Sequence, residues 1–417
     1  MKYFRILLSV IIFYPTALLA DSFPITKPSK QGFSSERLER IGDLSQRYIE
    51  EKKIAGMVNI VARNGKIVYY DAKGYRGLDD PRPLEKDSLF RIYSMTKPIT
   101  SVALMMLYEK GAFQMKDPVS KFIPELKNLT VMNNAGDIVP AEKTMTMQHL
   151  MTHTAGFSYG FNPYDPIDKL YIKAELVKAN DLDDFINRLA TLPLRSEPGT
   201  KWHYSVSVDV MGLIVQRISG IPFNVYVQKE IFDPLGMKDT FFSVPKEKRS
   251  RLLPNQVWNA NSGEMNTVIE LPEWNYEDVT LFSGGAGLVS TAYDYLRFAE
   301  MMRNGGASNF ERKRLLSPKT IDFMTSNHVA ALGENMYPGS PSLGFGLGFE
   351  IVTNPAALGL LSSVGEYSWS GIAGTLFWID PVENIVSISM IQLMASPFPI
   401  SNELRVLTNQ ALIQVNQ

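Results

Sequence analysis

The stretch FRIYSMTKPIT, Phe90 to Thr100, sets Ser94 three residues ahead of Lys97 at the head of a long apolar segment. From Met95 to Lys110 the chain reads MTKPITSVALMMLYEK, apolar on nearly every side, with Gly111 as a natural stop. Such a pattern predicts an interior helix. Pro98 is tolerated only in a first turn, where its missing N–H breaks no ladder bond, so the helix should begin near Ser94. An amine at i+3 shares the serine's face and can fold back on the hydroxyl. Burial lowers a lysine's pKa by as much as about 3–5 units, which would leave a neutral amine able to take the serine proton. The plainer reading is a capping serine beside a solvated lysine, since S-x-x-K also arises by chance.

Working toward the N-terminus, the segment GMVNIVARNGKIVYYDAKGY holds two β-prone runs joined by Asn64-Gly65, a dipeptide suited to the positive φ angles of a tight hairpin. Before it, SSERLERIGDLSQRYIEEKK starts on capping serines and repeats Leu38, Ile41, Leu44 and Tyr48 at helical spacing. Toward the C-terminus, GTLFWIDPVENIVSISMIQLM places two apolar runs around a turn at Asp380 to Asn384, with a last helix from about Ser401. The two hairpins can pair in one antiparallel sheet with the terminal helices on one face. The stretch of roughly 111–251 reads as an all-helical lobe inserted into that α+β frame.

The chain has 417 residues, 42 basic and 43 acidic side chains, and 45% hydrophobic content. It can bury a large core and lacks the charge imbalance of a nucleic-acid binder. The absence of cysteine excludes disulfides and thiolate chemistry. Residues 1–20 carry Lys2 and Arg5 ahead of a short apolar run broken by Pro15, the pattern of a secretory leader. A periplasmic or secreted protein of 21–417, with no stable membrane insertion after cleavage, is expected; an uncleaved anchor is the alternative.

Two rival motifs are present. GFSYG, Gly156 to Gly160, fits G-x-S-x-G with Ser158 as nucleophile, but it lacks the strand before it and the helix after it that this motif needs. His149 and His153 stand four apart, without the glutamate of the zincin pattern or a nearby third ligand. No metal or organic cofactor is expected.

Six stretches come in a telling order: FRIYSMTKPIT, HLMTHTAGF (149–157), PGTKWHYSVSVDVMG (198–212), PLGMKDTFF (234–242), SGGAGLVSTAYDYLRF (283–298) and YSWSGIAGTLFWIDP (367–381). Together they resemble the serine β-lactamase-related hydrolases: class C β-lactamases, D-alanyl-D-alanine carboxypeptidases and family VIII carboxylesterases. The resemblance implies Ser94 as the acylated nucleophile, Lys97 as its motif lysine and Tyr204 as the proton shuttle. A tyrosine would act as a base only if a cation, here Lys97, stabilised its phenolate. It also implies an oxyanion hole from the backbone N–H groups of Ser94 and Ile372, with Trp369, Ser370 and Gly371 in place of the usual Lys-Thr-Gly. Gly371 would let substrate approach the strand closely. Val206 stands where Tyr-x-Asn has its amide, and Trp369 replaces a cation that would pair with a substrate carboxylate. Both departures point to neutral esters, bound in a pocket that Trp369 and Tyr159 help line. The alternatives are β-lactam or D-amino-acid amide hydrolysis and acyl transfer with the same residues, or a silent cell-wall-binding protein.

Overall fold

The computed structural model describes residues 22–416 apart from 134, 269–275, 311–312 and 336–339; the leader read over 1–20 lies outside them. Helix α1 (Ser35–Glu50) starts at Ser34, whose hydroxyl accepts from the Arg37 amide, and buries the predicted Leu38, Ile41, Leu44 and Tyr48. Strands β1 (Gly56–Arg63) and β2 (Lys66–Gly77) follow. Asn64 and Gly65 adopt φ of 52° and 73°, the two positive angles their hairpin turn requires. Strand β3 (Asp80–Pro83) completes that edge, and helix α2 (Thr96–Glu109) is buried from Thr96 to Leu107.

Among the described residues, the regular elements of 111–251 are helices except for one hairpin, Thr130–Met132 paired with Ile138–Pro140. The lobe is therefore not all-helical as its sequence suggested. Strands of three residues are too short for an alternating pattern to declare itself. Helix α3 (Ser207–Ser219) crosses the lobe buried through its first nine residues and packs along α2. Beyond the lobe come α4 (Ala292–Arg303), β4 (Leu343–Phe345), β5 (Glu350–Val352), β6 (Tyr367–Ser370), β7 (Leu376–Asp380), β8 (Ile385–Met390) and α5 (Ile400–Asn409).

These eight strands form one antiparallel sheet in the order β4-β5-β6-β7-β8-β1-β2-β3. The first hairpin meets the last as expected, with Val58 opposite Met390 and Arg63 opposite Ile385. Strand β1 is buried throughout because both its faces are covered. Met57 and Val61 join α1 and α5 residues such as Leu38 and Leu404, while Val58, Ile60 and Ala62 join the larger core with α2 and α4. The period of two thus splits one strand between two cores. Among the described residues, no single helix is long and apolar enough to cross a membrane.

Candidate active site

Ser94 sits in a tight turn, Tyr93–Met95, that runs directly into α2. Tyr93 takes a φ of 43°, a conformation unfavourable to a bulky side chain, and its hydroxyl is gripped by Asn255 Nδ2. The turn is therefore held from outside. One helical step on, Lys97 is buried and brings Nζ to 3.1 Å from Ser94 Oγ, while also donating to the Gly285 carbonyl at 2.8 Å. Tyr204, just ahead of α3, donates its hydroxyl to Ser94 Oγ at 2.7 Å. The three residues named from sequence meet at one point although Tyr204 is 110 positions from Ser94.

Burial pulls the Lys97 amine down to about 7, with Asp209 resisting the fall. Burial pushes the Tyr204 phenol up, opposed by its hydrogen bonds with Ser94 and with the Trp369 indole. The expected phenolate stabilised by a lysine cation is thus not the resting state: the phenol keeps its proton and the amine is the group that can lose one near neutrality. The Lys97 nitrogen lies 4.6 Å from the Tyr204 ring centre and 5.1 Å from that of Tyr159, within reach of both ring faces.

Trp369, at the end of β6, packs its ring 5.5 Å from Tyr204 and lines the same cavity as Ser94, Tyr159, Val206, Ser370, Gly371 and Ile372. Gly371 is needed for a reason other than substrate approach: a Cβ there would lie 2.4 Å from the Ile92 carbonyl and 2.4 Å from Thr375 Oγ1. Its missing side chain lets the strand end close on the nucleophile turn. The Gly371 carbonyl accepts from the Gly374 amide at 3.0 Å, so the trans peptide turns the Ile372 N–H away from Gly374. Ile372 lines the cavity.

The cavity has a volume of about 990 Å³ and is mainly apolar. Its described charged lining residues are Glu175, Asp209, Asp278 and Lys178, and Lys178 is ion-paired with Glu175 at 2.7 Å. No cation stands at the Trp369 position to meet a substrate carboxylate.

Sequence reading missed Asp209 and Gly285. Asp209, buried in the first turn of α3, accepts from Ser283 Oγ and from the Gly285 amide, whose carbonyl in turn takes the Lys97 proton donor. A Cβ at Gly285 would fall 2.5 Å from Asp209 Oδ2 and 2.8 Å from the Tyr159 hydroxyl. The only sequence signal is an acid in an apolar helix five residues after Tyr204, together with the glycine run at 284–287.

The rival motifs take other parts. Ser158 is buried, donates to Asp168 Oδ1 and lies 3.3 Å from His203 Nε2. The carboxylate accepts the serine O–H hydrogen bond directly instead of orienting the histidine, which is not the order a nucleophile requires. Asp168 is further paired with Arg195 at 2.7 Å, so the cluster braces the loop that carries Tyr159. His149 Nδ1 accepts from the Thr146 amide, and His153, buried with a φ of 54°, accepts from the Ser205 amide and packs 4.9 Å from Tyr204. Among the described residues, no three His, Cys, Asp or Glu side chains are grouped to hold a metal ion.

The beta-lactamase family profile matches residues 41–410. Protein Rv1367c of Mycobacterium tuberculosis is 32% identical over 350 residues, covering 81% of this chain and 86% of its own. Esterase EstB of Burkholderia gladioli is 31% identical over 358 residues, covering 82% and 86%. The solved structure of EstCE1, a hydrolase with promiscuous acyltransferase activity, superposes with a TM-score of 0.78 at 25% identity over 90% of this chain and 99% of that one. With the serine, lysine and tyrosine already assembled in the same fold, this chain belongs to the beta-lactamase family.

Proposed function

We propose that this protein is a carboxylesterase that hydrolyses short to medium acyl esters through an acyl-enzyme on Ser94. The observation that carries the reading is a serine hydroxyl held between an amine at 3.1 Å and a phenol at 2.7 Å, opening on an apolar cavity whose one described cationic lining residue is already ion-paired. With Lys97 neutral, the 3.1 Å contact lets its lone pair accept the Ser94 proton as Oγ attacks the ester carbonyl carbon. The carbonyl oxygen takes the negative charge and faces the backbone N–H groups of Ser94 and Ile372. Tyr204 gives its proton to the departing alkoxide and recovers one from the Lys97 ammonium. Water then attacks the acyl carbon by the same relay in reverse, and the acid leaves. The similarity to esterase EstB supports ester chemistry, and that to the hydrolase EstCE1 supports hydrolysis. The missing asparagine at Val206 and the tryptophan at 369 support neutral over anionic substrates.

The test is initial rates on a chromogenic butyryl ester and a chromogenic cephalosporin, with wild type and Ser94→Ala side by side. Ester turnover that Ser94→Ala lowers by about 10³-fold or more, with little cephalosporin turnover, is the expected result. Dominant cephalosporin turnover would overturn the substrate assignment. We further infer export through residues 1–20, which N-terminal sequencing of the protein recovered from periplasm or medium would test.

A further inference from the structure

The cavity mouth differs from the rest of the site. Phe161, Ile172 and Val177 line the cavity and are yet 67%, 46% and 50% exposed, and Tyr164, three residues after Phe161, is 86% exposed. Apolar rings and branched chains this open to water are not there to close the core. Helix Pro166–Lys173 explains their placement: Ile167, Asp168 and Tyr171 face inward, leaving Lys169, Ile172 and Lys173, spaced by three and four, on the outer face. Gly160 packs against this helix at Ile172, which sets Phe161 beside it.

Along 160–180 the charges left outside ion pairs are both cationic, while Asp278 of the cavity lining is an exposed acid outside that segment. Asp165 and Asp168 are both taken by Arg195, and Glu175 by Lys178. Lys169 and Lys173 are exposed and, among the described residues, join no ion pair. An apolar ridge flanked by free cations, continuous with an apolar cavity, has the composition of a surface that rests on anionic amphiphiles.

We propose that the cavity mouth docks on an anionic lipid surface, from which an acyl ester enters the cavity. The proposal rests on the esterase reading for its substrate, but the docking itself does not need catalysis. Phe161 and Ile172 would enter the headgroup layer while Lys169 and Lys173 meet the lipid phosphates.

The test is sedimentation of the purified protein with phosphatidylglycerol vesicles and with phosphatidylcholine vesicles, alongside rates on a soluble monomeric butyryl ester. Wild type is expected to bind phosphatidylglycerol in preference to phosphatidylcholine. Lys169→Gln/Lys173→Gln should weaken that binding about 25-fold, at about fivefold for each lysine near an anionic surface. The same variant should keep the wild-type rate on the soluble ester, because neither lysine lines the cavity. Tyr164→Ser, a second exposed change outside the cavity lining, should also reduce binding. Failure of wild type to bind phosphatidylglycerol, equal binding to both lipids, or undiminished binding by the double variant would each overturn the proposal. Vesicle binding without soluble-ester hydrolysis would instead overturn the esterase reading and leave docking standing.

Discussion

Replacing Asp209 by asparagine removes one negative charge from beneath Lys97 while keeping an oxygen for Ser283 and the Gly285 amide. Asp209 and Lys97 hold opposite ends of Gly285, through contacts of 3.0 Å and 2.8 Å. Two hydrogen bonds and one residue put the charges about 7 Å apart. At an effective dielectric of about 20 their attraction is about 2.4 kcal/mol, worth ~1.7 pH units. The lysine must be neutral to act, so activity rises with pH through its pKa of about 7. Loss of the carboxylate destabilises the ammonium and lowers that pKa, which moves the acid limb to lower pH. The other groups facing the amine, His153, Tyr159 and Tyr204, are held uncharged by burial and do not replace the lost anion. The measurement is kcat/KM on a butyryl ester from pH 5 to 9, which reports the free enzyme. A downward shift of about one to two units in Asp209→Asn is expected. A limb that stays in place, or moves upward, would refute the electrostatic coupling and leave Asp209 a packing residue.

Gly285→Ala should act on the same pair by steric means, since its Cβ would press on Asp209 Oδ2 and the Tyr159 hydroxyl. Ester turnover should fall by about tenfold or more, read as initial rates on the folded variant. Ser158→Ala should stay within about threefold of wild-type turnover but lose about 1–2 kcal/mol in denaturant titration, because its hydrogen bond to Asp168 is buried. Arg405→Ala strips the buried Glu366 of its cation, which grips it at 2.9 Å while also donating to Ser368 on β6, and leaves it the Ser362 hydroxyl. Breaking such a buried pair costs about 3–5 kcal/mol, measurable as a lowered denaturation midpoint.

What the sequence disclosed was local or motif-bound. Ser34, Asn64-Gly65 and Pro98 each act within a few residues of themselves, so their caps, turn and helix start could be read directly. Lys97 is one turn from Ser94 and followed from helical geometry. Tyr204, 110 positions away, was identified through a resemblance of ordered motifs, because no local rule joins it to Ser94. Asp209 and Gly285 are 76 positions apart; each lies inside a stretch that carries the resemblance, but neither was assigned a role there, and only the folded chain brings them under Lys97. Gly371 was legible as a close approach, but what approaches is the Ile92 carbonyl. The protonation order was also out of reach, because it depends on how deeply α2 and α3 bury the amine and the phenol.

The role of Ser94 is best tested by labelling the protein with an alkyl p-nitrophenyl phosphonate, digesting it and locating the adduct by mass spectrometry. A single adduct on the peptide bearing Ser94, lost in Ser94→Ala and slowed in Lys97→Ala, is the outcome predicted here. An adduct on Ser158, or labelling that survives in Ser94→Ala, would contradict it.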